Sequence, residues 1–212
     1  MNEKRDLFLS TAEVYLDYLE RPAVAAKWTE PSALDEFTVA GLAGHTSSQI
    51  TSAAAALAAE GDERPGKDLF DHYAQAAWAT TGIDSEANTG IRDSGENLAA
   101  AGHKELCATT REALEQVRTA LPSAPADSRG ATSTWDYTLP LDDYLVTRTV
   151  ELVVHGDDLA HSLPADPPAY PQAAYDLTFH VLTRLAAARH GNSALIGALA
   201  RSERAPGTVA AF

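Results

Sequence analysis

Cysteine is nearly absent. The chain has 212 residues and one cysteine, Cys107, so no disulfide can form within it. Disulfide-stapled scaffolds are excluded, and a reducing compartment suits the composition. Long apolar runs are also missing. Stretches such as AAAALAA at 53–59 are far too short to cross a bilayer, and MNEKRDLFLSTAEVYLDYLE has neither a continuous apolar segment nor a cleavage site for export. The expectation is a cytoplasmic protein with no membrane partner. Basic residues are scarce as well: 16 Lys and Arg against 30 Asp and Glu give a net charge of −14. Such a field repels phosphate backbones, which argues against nucleic acid as a partner. What is present is a hydrophobic fraction of 45%, enough for one packed domain and too much for a disordered chain.

Strand signals are sparse and helical periodicity is plentiful. Leu7, Phe8, Ala12, Tyr15, Leu16 and Leu19 recur at helical spacing over 4–20, with Pro22 just beyond. Thr38 reads as the N-cap of a second helix over 39–59, and a third is expected over 67–80. A long helical stretch follows over 84–121, with a break expected near Gly90 or Gly95. PSAPADSRGATS at 122–133 is a loop, and 132–138 permits a short strand. A helix is expected over 141–162, then a proline-rich connector, then helices over 172–189 and 192–203. The reading is an all-α bundle over 1–163 with a helical C-terminal extension over 164–212.

The 141–162 helix carries an unusual stripe. At about 100° per residue, Tyr144, Arg148, Glu151, His155, Asp158 and Ser162 share one narrow face, flanked by Leu141, Leu145, Leu152 and Leu159 on one side and Val150 and Val154 on the other. One reading is a solvated face with Arg148–Glu151 and His155–Asp158 as ordinary i,i+3 pairs. The other is a site facing the bundle interior. His45, among small and apolar residues early in the second helix, bears on the choice. A lone histidine there is an ordinary core residue. Together, His45, Glu151 and His155 make a two-His, one-carboxylate set of the kind that binds Zn²⁺ and leaves a position open. Arg148 and Asp158 are then the candidate catalytic or orienting residues, balancing charge or fixing an imidazole. Tyr144 reads as packing, and Cys107 as a small core residue. His72, His103 and His180 have no partner spacing, and His161 lies off the stripe.

Two segments carry a resemblance. KWTEPSALDEFTVAGLAGH and YLVTRTVELVVHGDDLA resemble, in order and separation, the paired motifs of the mycothiol-dependent maleylpyruvate isomerase family, part of the DinB-like superfamily of metal-binding four-helix bundles. Phe37 stands where that family has Trp, and the isomerases have an αβ domain where 164–212 of this chain reads as helices. The resemblance implies a DinB-like bundle with His45, Glu151 and His155 as ligands of a divalent metal, Zn by expectation, and mycothiol as thiol cosubstrate. It implies an enzyme that transfers the thiol to, or isomerises, a small electrophilic substrate. Three other readings stay open: a metal-assisted hydrolase, a non-enzymatic bundle whose metal site is structural or vestigial, and, for assembly, a homodimer.

Overall fold

A computed structural model describes residues 3–59, 63–76 and 84–212. Four helices form the bundle: α1 (Glu3–Leu19), α3 (Val39–Ala58), α6 (His103–Ala120) and α7 (Leu141–His161). α7 packs on α1 and α3, and α6 closes the other side against the same two. A short α2 (Pro22–Ala26) follows α1, α4 (Leu69–Ala74) lies against α7, and α5 (Glu86–Ala99) packs along α3. Beyond the bundle, α8 (Gln172–His190) lies on α7, and α9 (Asn192–Ala200) on α8. The fold is all-α and DinB-like. No described helix is long and apolar enough to cross a membrane.

The helices form where periodicity and caps agree. Phe8, Ala12, Tyr15 and Leu19 fill the core side of α1. The Thr38 hydroxyl accepts a 2.9 Å bond from Gly41 N–H and donates to Glu96 Oε1 at 2.7 Å, so the start of α3 is both capped and tied to α5. Along α7, Leu141, Leu145, Leu152 and Leu159 enter the main core. Val146 and Val150 on its other side meet Tyr73 and Val181 in a smaller cluster. The connector after α7 is pinned by Tyr170, whose hydroxyl donates 2.7 Å to the Leu152 carbonyl beside Gly156.

Three expectations need correction. The 84–121 stretch does break, but at Gly102, whose φ of 96° is a left-handed conformation that favours glycine. Gly90 and Gly95 lie inside α5, and Gly95 is a crossing point. A Cβ on Gly44 would come within 2.1 Å of the Gly95 carbonyl oxygen, so the two backbones approach as only glycines allow. The third helix is shorter than expected, Leu69–Ala74, and 77–80 of its expected range lie outside the described residues. The strand pairing flanks the expected 132–138 segment: β1 (Arg129–Gly130) pairs antiparallel with β2 (Leu139–Pro140), and most of the segment forms the connecting loop. Alternation alone could not place a ladder whose partner is the other arm of the same hairpin.

Candidate metal centre

α3 and α7 run in opposite directions where they meet. The His45 ring packs edge-on against His155, at 4.8 Å between centroids, and one turn further along α3 Gln49 meets Arg148. Glu151 lies between the two imidazoles. Its Oε2 is 3.5 Å from His45 Nε2 and 3.3 Å from His155 Nε2. One ligand atom from each of the three residues lies within 4.8 Å of the others. Two ligands about 2.0–2.1 Å from one tetrahedral metal sit about 3.3 Å apart, so the two Glu151 contacts have the spacing such a site needs. Nitrogen, nitrogen and carboxylate oxygen also form a donor set suited to zinc.

The cluster is walled but not sealed: side-chain exposure is 15% at His45, 16% at Glu151 and 20% at His155. Burial disfavours charge on all three, yet their pKa values diverge. Burial would raise the Glu151 pKa, but the two imidazoles outweigh it and hold the carboxyl well below its ordinary range. Burial lowers His45, and its contact with Glu151 does not recover the loss. At His155 burial is overcome by Asp158 and Glu151, which raise the imidazole to about 9. Asp158 Oδ2 lies 2.9 Å from His155 Nδ1, so Nδ1 donates to a carboxylate and Nε2 faces the cluster. Metal-binding histidines are commonly oriented by such a carboxylate.

Arg148 takes partners other than the one its spacing along α7 offers. Among the described residues it makes no ion pair with Glu151. Its Nη1 donates to Gln49 Oε1 at 2.6 Å and its Nε to Thr147 Oγ1 at 3.0 Å. The guanidinium carbon lies 5.1 Å from the Tyr144 ring centroid and 5.5 Å from that of Trp135, within cation–π range. The residue is 8% exposed. Gln49 was not singled out in the sequence, although the signal was there: it follows His45 by four residues and shares its helix face.

The remaining candidates fall outside the cluster. Tyr144 is fully buried beside Gly130, as a packing residue would be. His72 is buried against Trp135, its Nδ1 is 2.7 Å from the Tyr137 hydroxyl, and burial together with the Arg148 charge lowers its pKa to about 4. His103 Nε2 donates to the Leu19 carbonyl at 2.7 Å, tying α6 to the end of α1. Cys107 is buried and its thiol is pushed up by desolvation, the opposite of activation. His161 and His180 are exposed.

Comparison with curated proteins and with solved structures gives no match. A family model does match, the mycothiol maleylpyruvate isomerase N-terminal domain, over residues 9–160, a span that takes in most of the bundle and all three clustered side chains. The chain therefore belongs to the mycothiol maleylpyruvate isomerase N-terminal domain family.

Proposed function

We propose that the protein is a metal-dependent enzyme that uses a low-molecular-weight thiol, mycothiol, for S-transfer to a small electrophile or for its isomerisation. The observation that carries this reading is the convergence of His45, Glu151 and His155 inside a bundle of this family. A divalent ion held by them supplies acidity: a thiol with an ordinary pKa near 8.5 becomes a thiolate at neutral pH.

The chain's own residues do the rest. Asp158 fixes the His155 tautomer through Nδ1 and leaves Nε2 as the ligand. Arg148, held by Gln49 and Thr147, offers a guanidinium to a carboxylate on the electrophile, and the Tyr144 and Trp135 rings hold it in place. Attack of the thiolate on an activated double bond forms a C–S bond and turns C=C into a rotatable single bond. Rotation and expulsion of the same thiolate complete an isomerisation. Protonation of the adduct instead leaves the thiol attached.

The test is turnover of an activated alkene carboxylate by zinc-loaded and chelator-stripped protein, each with and without mycothiol. Activity is expected only where both metal and thiol are present. Turnover with metal but without thiol would overturn the thiol reading and leave a metal-dependent reaction with water. A parallel pair of variants separates site from scaffold. His155→Ala is expected to lose metal and activity while remaining helical. Val153→Asp places a carboxylate at a position 4% exposed and is expected to unfold the bundle, at a cost of several kcal/mol.

A further inference from the structure

The cluster stands on the seam between α3 and α7, and the two ends of that seam differ. Because the helices are antiparallel, Gln49 and Arg148 lie to one side of the cluster, and Asp158, Ser162 and the 31–38 turn to the other. The turn is pinned across the seam. Its Ala33 N–H donates 2.8 Å to Ser162 Oγ just past α7, Ser32 N–H donates 2.9 Å to the Phe37 carbonyl, and Thr38 caps α3. So tight a closure sets Glu36 at φ 64°, a left-handed conformation uncommon outside glycine that persists where its surroundings enforce it. The chain reverses there, and the next residue, Phe37, turns its ring toward the cluster, 6.1 Å from the His45 ring between centroids. With Leu34, Phe37 rests on the main core, and it stays partly exposed.

Charge sharpens the contrast. Asp35 and Glu36 are exposed on the turn, and Asp158 stands on the α7 stripe at the same end. The nearest cation along the chain, Lys27, is paired with Glu30 at 2.7 Å. A carboxylate is therefore attracted at the Arg148 end and repelled at the Phe37 end. A flat apolar group meets the reverse, because it loses no hydration of charge against Phe37 and pairs favourably with an aromatic ring. Length fits as well. Gln49 lies about 6 Å along α3 from His45 and the Phe37 ring is similarly far on the other side, so a ligand reaching both ends is roughly 10 Å long. A four-carbon acid carrying a benzene ring has that length.

We infer that the electrophile is a monocarboxylate whose far end is flat and apolar, an aryl or conjugated group, and that Phe37 is the wall that selects it. The inference rests on the Arg148 contact of the reading above, but its test needs no thiol. The probes are three saturated acids that cannot react with one: β-benzoylpropionate, levulinate and succinate. They share a carboxylate, two methylenes and a carbonyl carbon, and end in a benzene ring, a methyl group and a second carboxylate oxygen. Each is titrated by NMR into wild type, Phe37→Ala and Phe37→Lys with zinc added. In wild type the benzoyl acid is expected to bind about tenfold tighter than levulinate, with succinate weakest. Phe37→Ala is expected to bring the first two within about threefold, and Phe37→Lys to place succinate first. A turn loosened by substitution weakens all three acids and cannot reorder them, so the Phe37→Lys order tests the wall itself. No preference for the benzoyl acid in wild type, no binding, or the wild-type order kept in Phe37→Lys overturns the inference. Turnover of β-benzoylacrylate, the unsaturated form of the first probe, reports separately on the parent reading. Turnover that needs zinc and mycothiol, without the binding preference, keeps the thiol reading and overturns the role of Phe37. The preference without such turnover keeps Phe37 as the selecting wall and overturns the thiol reading.

Discussion

Among the described residues, the partners of the Arg148 positive charge are neutral acceptors and aromatic faces. A cation so placed costs stability that a hydrophobic residue of similar volume does not. Arg148→Met is therefore expected to keep or raise the melting temperature while abolishing recognition of a carboxylate electrophile. Loss of one charge-assisted hydrogen bond, about 1.5–3 kcal/mol, corresponds to roughly 10- to 150-fold in kcat/KM. A melting temperature that falls by many degrees would show instead that the guanidinium holds the bundle together. His155 gives a second prediction. In the metal-free protein its pKa is raised from 6.5 to about 9. Protonated His155 therefore stabilises the free fold below about pH 6.5, and that contribution fades as pH rises through about 9. Metal binding has the opposite sign, because a ligand imidazole must be neutral. Apparent zinc affinity is expected to rise about tenfold per pH unit between 7 and 9, with about one proton released per ion bound at pH 7. Calorimetry in two buffers of different ionisation enthalpy measures that proton, and a release near zero contradicts the assignment.

At the level of helices, the crossing of α3 and α5 sets where His45 stands. A Cβ on Gly95 would come within 2.4 Å of the Gly41 carbonyl oxygen and 3.2 Å of His45 Cβ, whereas one on Gly90 would meet nothing within 4 Å. Gly95→Ala is expected to destabilise by about 1–3 kcal/mol and to weaken zinc binding. Gly90→Ala, in the same helix, should stabilise by about 0.5–1 kcal/mol. Thermal melts of the pair test this, and equal shifts would mean that the crossing is loose. The contrast also marks how far the sequence could be read. Helix α3 with its Thr38 cap, helix α7 with its polar stripe, and the placing of His45, Glu151 and His155 on apolar-flanked faces followed from spacing and from family motifs. The two glycines did not: both look like breaks within one segment, and only the neighbouring helix shows that one of them is a contact. The partner of Arg148 was hidden for the same reason. Spacing along one helix offered Glu151 as its partner, while Gln49 reaches it from across the bundle.

The molecule as a whole carries a net charge of −14, with its paired charges mostly on the surface. Like charges held on one compact body repel, and added salt screens them over about 10 Å at 0.1 M. The melting temperature of the metal-free protein is expected to rise between 10 and 150 mM sodium chloride at pH 7. A fall would mean that surface pairs such as Lys4–Asp143 outweigh the repulsion. The same field would oppose the approach of an anionic electrophile, so in the proposed reaction Arg148 would act at short range, after encounter.

Two of the three clustered side chains stand on α7, and His45 precedes them by more than a hundred residues. During synthesis at about 5–20 residues per second, His45 is made several seconds before Glu151 and His155 exist. One imidazole holds zinc weakly, so an ion cannot guide the early helices into place. On the reading proposed above, loading would be a late event in the life of each copy, left until Glu151 and His155 have been made.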